Sequence, residues 1–455
     1  MLLLTSISFA TCLVLSHYFS ADVLSSLLYQ PYDCLPIQAI KVGRHCFGDY
    51  SLPLVLGMEA NPWAPYPLHL PPELDVIYNN YSAGAMLPMV AFGAVGKWLG
   101  APLAGMVGYL IALTAACLIP AIWAARGAIG LERIVVFMIC GAAAVPVWMT
   151  VDRGNAVGFA VPAMLYYLVA LCRQRWGLVA AMVILAALIK PQFAVLGCVL
   201  FTARQWRMAA IAVAGGVISN VAAYALWPRD FPGTILQSIH NTAQYGSDAL
   251  LFSDQNVSFG KGLFTIIDGV EGALNGGMLP DNFLIRPRLL AGSAVLVLVV
   301  VALVALGRRI PPVMAGAVLL ATASLFPAVS NRYYLVFALP IAALVVRDPD
   351  GPPATGIFER LAVVGGRRRL VGICVSLAAA VTIAQIAIPG PLFHWSIYSP
   401  QGDLWAVVSL VRTTAEFAPI LWLVTICVTL VSYALHPAPA IGDAPVDCGE
   451  PHRAR

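Results

Sequence analysis

Residues 288–306 read RLLAGSAVLVLVVVALVAL, and Gly307-Arg308-Arg309 follow them directly. A helix needs about 20 apolar residues to cross a bilayer, and basic residues favour its cytoplasmic end. This stretch therefore predicts a transmembrane helix that ends in the cytoplasm. Comparable apolar runs lie at 1–20, 102–124, 132–150, 157–172, 208–227, 312–328, 332–346, 370–388 and 416–435.

The composition agrees with this pattern, because 60% of the 455 residues are hydrophobic and only 11% are charged. A soluble domain carries about 25% charged residues. We therefore predict an all-α polytopic membrane protein with about 10–12 transmembrane helices. The net charge of +4 is too small for nucleic-acid binding. Walker, HExxH and GxSxG motifs are absent, which excludes primary pumps and zinc proteases.

The arginines orient the predicted helices. Placing the basic loops in the cytoplasm gives a nearly consistent alternation of spans. The alternation requires that residues 83–99 do not span and that residues 178–202 enter and leave on one side. Residues 178–189 would form about 18 Å of helix, which is too short to cross, and Pro191 then breaks it. In the competing interpretation, both segments span fully and the second is kinked.

This orientation divides the chain into outer and cytoplasmic parts. Three polar segments fall outside, at 21–82, 228–287 and 389–403. A basic cytoplasmic loop covers 347–369, C-terminal transmembrane helices cover 370–436, and a cytoplasmic tail covers 437–455. Cys34 and Cys46 share the first outer segment and would be able to pair in an oxidising compartment.

Lys190 is the sharpest candidate for a functional residue. It lies in AALIKPQFAVL, between two apolar half-helices. A buried ammonium group needs an anionic partner, and a helix break is tolerated where it lines a cavity. We interpret Lys190 as a clamp for a lipid phosphate, with Gln192 as a second polar group. A lysine that extends to the headgroups is the alternative.

Other polar residues sit at the outer ends of the spans. The guanidinium group of Arg153 can donate two parallel hydrogen bonds to a phosphate or a carboxylate. The alternative is that VDRGN, which contains Arg153, forms a simple surface turn. Arg332 lies at a membrane boundary, where it either binds phosphate or extends to the headgroups. Asn256 and Gln255 are able to bond a sugar or to form a turn. One carboxylate of the first outer segment would act as general base, from Asp22, Asp33, Asp49, Glu59, Glu73 and Asp75.

In order along the chain, several motifs resemble those of the GT-C superfamily of polytopic glycosyltransferases. They are most similar to the actinobacterial mannosyltransferases that use polyprenol-phosphate mannose. The matching elements are Asp33 in PYDCLPIQAIKVGRHCFGDY, the stretch from Tyr78 that lacks the family's two prolines, Arg153-Gly154-Asn155, Lys190-Pro191, Asn256 with Ser258, and Ser330-Asn331-Arg332-Tyr333-Tyr334, in which the family's His is missing. The resemblance makes 1–346 a catalytic membrane module.

The resemblance implies transfer of a sugar from a polyprenyl-phosphate donor to a glycolipid or glycan acceptor at the outer face of the plasma membrane. It makes Asp33 the general base. Lys190, Arg153 and Arg332 would hold the phosphate leaving group, where negative charge develops. The residues expected to bind sugar or acceptor are Tyr78, Tyr81, Asn155, Gln192, Asn256 and Tyr333. We predict no obligatory metal and no cofactor. Membrane lipids are the other expected partners, and nucleic acid is excluded.

Two other classes remain open at this point. A polysaccharide polymerase or ligase also has many spans and large outer loops, and it would rely on outer arginines. A lipid-linked-sugar transporter or flippase would need polar residues near the middle of the spans. Here the polar residues gather at the outer ends, which favours chemistry at the membrane surface.

Overall fold

The computed structural model describes residues 2–19, 47–70, 73–244, 251–253, 255–274, 283–388, 393–398, 404–410 and 412–437. Helices dominate these residues, so the predicted all-α polytopic class is confirmed. Two short antiparallel hairpins accompany the helices and were not predicted. The first pairs β1 (Tyr66–Leu70) with β2 (Glu73–Ile77), and the second pairs β3 (Phe393–Tyr398) with β4 (Leu404–Leu410). The first hairpin and β3 belong to segments that the sequence places outside. Strand β4 extends to Leu410, within the range 370–436 that was predicted to be transmembrane helices, so that prediction is wrong for these residues.

The helices of the first half follow the apolar runs closely. They are α1 (Leu2–Phe19), α2 (Gly48–Gly57), α3 (Ala83–Trp98), α4 (Pro102–Ala125), α5 (Leu131–Phe137), α6 (Val145–Arg153), α7 (Val161–Cys172), α8 (Trp176–Ile189), α9 (Cys198–Thr202) and α10 (Trp206–Ala225). A π-helical turn at Met138–Ala142 lies between α5 and α6. Short 3₁₀ helices at Ala156–Ala160 and Pro191–Gly197 precede α7 and α9.

The second half continues in the same way, with α11 (Gly233–Gln244), α12 (Phe259–Leu274), α13 (Ile285–Leu306), α14 (Pro312–Leu325), α15 (Ala338–Val346), α16 (Ile357–Gly365), α17 (Arg369–Ala384) and α18 (Ala418–Leu435). Three 3₁₀ helices connect them, at Gly307–Arg309, Arg332–Phe337 and Thr414–Phe417. The core lies among α4, α7, α14 and α15. Helix α14 is buried along almost its whole length.

Several helices have the dimensions of membrane spans. In the described part of the chain, four are long and apolar enough to cross: Pro102–Ala125, Trp206–Ala225, Ile285–Arg309 and Thr414–Leu435. The bent pair Leu131–Ala142 and Val145–Arg153 adds a fifth if it forms one span. Shorter apolar helices of 10–17 residues surround them. The protein is therefore polytopic, and the total of about 10–12 spans remains a prediction.

The segment 178–202 folds back on itself, as the re-entrant interpretation requires. A Cβ on Gly197 would lie 3.6 Å from the Val183 side chain. On one straight helix, residues 14 positions apart would be separated by about 21 Å. Helix α8 ends at Ile189, and the chain turns at Lys190-Pro191 into the 3₁₀ helix. The break therefore places Lys190 at the tip of a helical hairpin.

Helix α3 has 16 residues and contains Lys97. That length is below the roughly 20 residues that a span needs. The helix packs against α4 as an antiparallel neighbour, and Gly96 and Gly105 lie in direct backbone contact. The length favours the prediction that residues 83–99 do not span, on which the orientation depends.

Several of the predicted cytoplasmic loops meet at one end of the molecule. Arg173 donates to Asp350 at 2.8 Å, and Arg360 donates to both Asp348 and Asp350 at 3.2 Å. The amide of Ala354 donates to the Gly127 carbonyl at 3.1 Å. Three of the loops predicted to be cytoplasmic therefore share one face, as the charge pattern predicts. Lys190 lies at the other end of α8 from these loops.

The outer segment 228–287 contains an amphipathic helix. In α12, the apolar side chains of Leu263, Ile266, Ile267, Val270 and Leu274 are exposed. Their spacing of three or four residues places them on one side of the helix. An exposed apolar stripe of this kind is expected where a helix lies in the membrane interface.

Candidate active site

An ion pair joins the first outer segment to the membrane helices. Asp49 lies in the first turn of α2, and Arg153 is the last residue of α6. The Arg153 guanidinium donates to the two oxygens of the Asp49 carboxylate, at 3.0 Å from Nη2 and 3.3 Å from Nε. Bidentate geometry fixes both the position and the plane of the guanidinium. The Arg153 side chain remains 52% exposed, so it can still meet a ligand.

Asn155 extends this network towards Tyr81. Its side chain is fully buried, and Nδ2 donates to Asp49 at 3.0 Å and to the Tyr81 hydroxyl at 3.1 Å. Its Oδ1 accepts from the Val157 amide at 3.0 Å, which caps the following 3₁₀ helix. Asn155 thereby fixes two neighbouring side chains while its own position is set by the backbone.

Gly154, between these two residues, allows the backbone to turn. Its φ of +66° lies in the left-handed region, and it ends α6. A Cβ at this position would lie 2.8 Å from the Cβ of Tyr50. Glycine is therefore required for both the turn and the close packing of α2. Burial raises the pKa of Tyr50 to about 12, so its phenol is neutral at physiological pH.

Asp49, Tyr81, Arg153 and Asn155 form a cluster of polar side chains. Lys190 approaches Tyr81 of this cluster from the tip of the hairpin. Its Nζ lies 4.8 Å from the centre of the Tyr81 ring and 6.0 Å from that of Tyr334. In the described part of the chain, no carboxylate forms an ion pair with it. The ammonium group thus sits between aromatic rings, which attract it, and it has no counter-ion there. This is the arrangement expected of a group that receives an anionic ligand.

Arg332 is the first residue of the 3₁₀ helix that carries Tyr333 and Tyr334. Its side chain is 1% exposed, and Nη2 lies 3.8 Å from Glu416 Oε1. Arg412 also lies 3.8 Å from that oxygen. Glu416 therefore brings the C-terminal region to the site. The sequence analysis missed this contribution, because the residues that carry the resemblance end before the C-terminal helices.

Asn256 holds together the loops that position the Arg332 backbone. Its Nδ2 donates to the carbonyls of Leu251 and Ala328, and its Oδ1 accepts from the amides of Ser258 and Ser330. These bonds use both amide hydrogens and both lone pairs. The predicted sugar contact is therefore not available to this side chain in the structure. Asn256 instead joins its loop to Asn331 in an antiparallel bridge, and the Gln255 carbonyl accepts from the Arg332 amide at 2.9 Å.

The other residues singled out from the sequence have different positions. The ring of Tyr333 packs on Tyr334 with centroids 5.0 Å apart, and its hydroxyl accepts from Asn331. Gln192 uses its amide nitrogen to donate to the Ala323 carbonyl at 2.9 Å, which joins the hairpin to α14. Tyr78 is 49% exposed, and no contact in the described residues joins it to the cluster. Asp33, Cys34 and Cys46 lie outside the described residues.

The structure also identifies which carboxylate of the first outer segment meets the arginine. Composition left six candidates open, and among the carboxylates whose side chains the structure describes, Asp49 contacts Arg153. In the sequence, Asp49 was distinguished only by its position inside the stretch PYDCLPIQAIKVGRHCFGDY, which carries the family resemblance. Proximity across 104 residues has no local sequence pattern, so tertiary structure was needed.

The fold and this site define a polytopic membrane protein that carries basic, aromatic and carboxylate side chains at one end of its helices. The family model of glycosyltransferase family 87 matches residues 79–330, which is more than half of the 455 residues. The chain therefore belongs to glycosyltransferase family 87, and it is a membrane glycosyltransferase of the GT-C type. A comparison with curated proteins finds no match. Family membership decides against the transporter alternative.

Proposed function

We propose that the enzyme transfers a sugar from a polyprenyl-phosphate donor to a glycolipid or glycan acceptor at the outer face of the plasma membrane. Mannose is the sugar that the sequence resemblance favours. The reaction would be a single displacement with inversion at the anomeric carbon.

One observation carries the choice of a lipid phosphate as the leaving group. The ammonium group of Lys190 has no counter-ion in the described residues, and an apolar groove begins at the next residue, Pro191. The groove has a volume of about 450 Å³ and runs between the hairpin and α10. Its walls are small and apolar, with Ala187, Gly197 and Ala212 among them. A phosphate on Lys190 would leave its lipid chain in this groove, away from water.

Two arginines are assigned to the same phosphate in this proposal. Negative charge accumulates on the phosphate as the glycosidic bond breaks, and fixed cations stabilise that charge more than they stabilise the ground state. Arg153 is already oriented by Asp49, so little reorganisation is needed. Arg332 would supply a third positive charge. These groups neutralise the phosphate in our scheme without a metal ion.

Asp33 is the general base in the proposal, and Asp49 is a positioning residue. A general base must offer a free lone pair to the acceptor hydroxyl. Asp49 already accepts three hydrogen bonds, from Arg153 Nε, Arg153 Nη2 and Asn155 Nδ2. These bonds occupy three of the four lone-pair sites of the carboxylate and orient it towards Arg153. The proton of the acceptor hydroxyl would pass to Asp33, while the phosphate leaves with the electron pair of the broken bond.

A transfer assay tests the proposal. Purified enzyme would receive radiolabelled polyprenyl-phosphate mannose and a membrane glycolipid extract, with Asp33→Asn and Lys190→Gln assayed at equal amounts of folded protein. We expect product from the wild type, none from Asp33→Asn and a large decrease in Lys190→Gln. Equal product from Asp33→Asn would remove that residue from the site. Failure with every polyprenyl-phosphate sugar would favour the polymerase or ligase class.

A further inference from the structure

A second large groove lies at the end of the molecule opposite the active site. It runs between α16 and the first half of α17, and its volume is about 940 Å³. Phe358, Leu361, Ile373 and Leu377 form its apolar walls. Arg367, Arg368 and Arg369 line it where α17 begins. The groove therefore combines an apolar body with a basic mouth.

The three arginines are not equivalent. Arg368 is used within the protein, because it donates to the Ser432 carbonyl at 2.7 Å and lies 3.9 Å from the Tyr433 ring centre. Arg367 and Arg369 are exposed, and neither forms an ion pair in the described residues. Glu359 is the acidic residue of the lining, and it accepts from the Gly356 amide at 2.9 Å. Among the described residues, the guanidinium groups of Arg367 and Arg369 therefore remain at the mouth without a counter-charge.

Their position at the start of α17 adds to the positive potential. The N-terminus of a helix carries a partial positive charge, which favours acidic residues and disfavours arginine. Here Arg369 opens a helix of 16 residues, and no acidic residue lies in the first turn. An anion at this point would interact favourably with the helix dipole and with both free guanidinium groups.

The exposed side of α17 continues the apolar surface of the groove along the helix, away from the arginines. Leu370, Ile373 and Leu377 are 62%, 62% and 52% exposed. Their spacing of three and four residues forms one stripe along the helix. An acyl chain lying on this stripe would extend towards the middle of the membrane, while its headgroup stayed at the arginines.

We propose that this groove binds an anionic phospholipid of the cytoplasmic leaflet. The phosphate would contact Arg367 and Arg369, and one acyl chain would lie against Ile373 and Leu377. Basic pockets beside membrane helices on the cytoplasmic side are suited to anionic headgroups. The positive-inside pattern places this end of the molecule in the cytoplasm. The site is separate from the transfer reaction and does not depend on the donor assigned above.

The test is a titration of the full-length protein in detergent with phosphatidylglycerol, followed by native mass spectrometry. The double variant Arg367→Gln with Arg369→Gln would be compared with Arg308→Gln and Arg309→Gln. The second pair is a matched control, because both residues are exposed and follow a membrane helix on the same side. We expect phosphatidylglycerol binding to weaken by about tenfold or more in the first variant only.

Three further arms make the result specific. Phosphatidylcholine with the same acyl chains should bind the wild type more weakly, and glycerol phosphate alone should bind poorly because it lacks the chains. Arg367→Lys with Arg369→Lys should keep most of the binding. Retained binding would show that the loss in the first variant comes from the missing charge and not from unfolding on replacement of the arginines. Equal losses in both arginine pairs, or unchanged binding in Arg367→Gln with Arg369→Gln, would overturn the proposal. Tight binding of glycerol phosphate would indicate a soluble anion instead.

Discussion

Asp49 and Arg153 are separated by 104 residues in the chain, yet two hydrogen bonds of 3.0 and 3.3 Å join their side chains. The Asp49 side chain is only 15% exposed, so the pair is partly shielded from solvent. The bond couples the first outer segment to α6. Because Arg153 is a proposed phosphate ligand, donor binding should depend on the docking of that segment.

Asp49→Asn should weaken donor binding more than it slows turnover. The amide keeps the shape of the carboxylate and loses its charge, so the Arg153 guanidinium is less firmly oriented. We expect KM for the donor to rise. In a double-mutant cycle with Arg153→Gln, the coupling free energy should fall between about 0.5 and 3 kcal/mol. Steady-state kinetics at varied donor concentration measure both quantities.

A control for this experiment is Asp350→Asn, which breaks an exposed ion pair with Arg173 at the other end of the molecule. It should leave the kinetics unchanged, since exposed pairs contribute little. Additive effects of Asp49→Asn and Arg153→Gln would show that the two side chains act separately.

Lys190→Gln should lower the transfer rate by about 10²–10³-fold, which is the loss expected when one fixed group that stabilises developing charge is removed. The matched control is Lys97→Gln, since Lys97 also lies among apolar residues but near the far end of α3. Initial rates at saturating donor give the comparison. Similar losses in both variants would argue that Lys190 acts through general stability.

Glu416→Gln should impair the enzyme although Glu416 lies beyond residues 79–330, which match the family model. The carboxylate lies 3.8 Å from the buried Arg332, and its removal leaves that guanidinium with less compensation. We expect a higher KM for the donor, with partial recovery in Glu416→Asp. Glu132→Gln serves as the control, because Glu132 is an exposed carboxylate in the first turn of α5. A change confined to thermal stability would reduce Glu416 to a structural role.

Arg288→Ala should destabilise the outer part of the protein. Arg288 is 1% exposed, it forms an ion pair with Asp268, and its guanidinium lies 4.7 Å from the Phe252 ring centre. Without Arg288, the Asp268 carboxylate keeps only the longer ion pair with Lys261 among the described residues, at 3.7 Å. Removing one partner of a buried pair costs up to about 3–5 kcal/mol. Arg286→Ala, two residues earlier and exposed, should have little effect. Thermal unfolding in detergent compares the two, and equal Tm values would contradict the prediction.

Much of the helical hairpin at Lys190 could be predicted from local sequence. The half-helix 178–189 is too short to cross, and Pro191 cannot continue it, so the turn follows from chain geometry. The contact with α3 could not be predicted in this way. A Cβ on Gly84 would lie 2.0 Å from the Leu188 carbonyl oxygen, and only the folded structure reveals that approach. The same limit applies to Asn256, whose role depended on partners 72 and 74 residues away.

The sequence by itself determined the class of fold and the presence of Lys190 at a helix break, and it predicts the orientation of the helices. These properties depend on hydrophobic length, the distribution of arginine and the geometry of proline, which are local and additive. Only the tertiary structure decided that Asp49 meets Arg153, that Tyr81 and Tyr334 flank Lys190, and that Glu416 reaches Arg332. Such contacts join segments far apart in the chain, and they depend on how whole helices pack rather than on any short pattern.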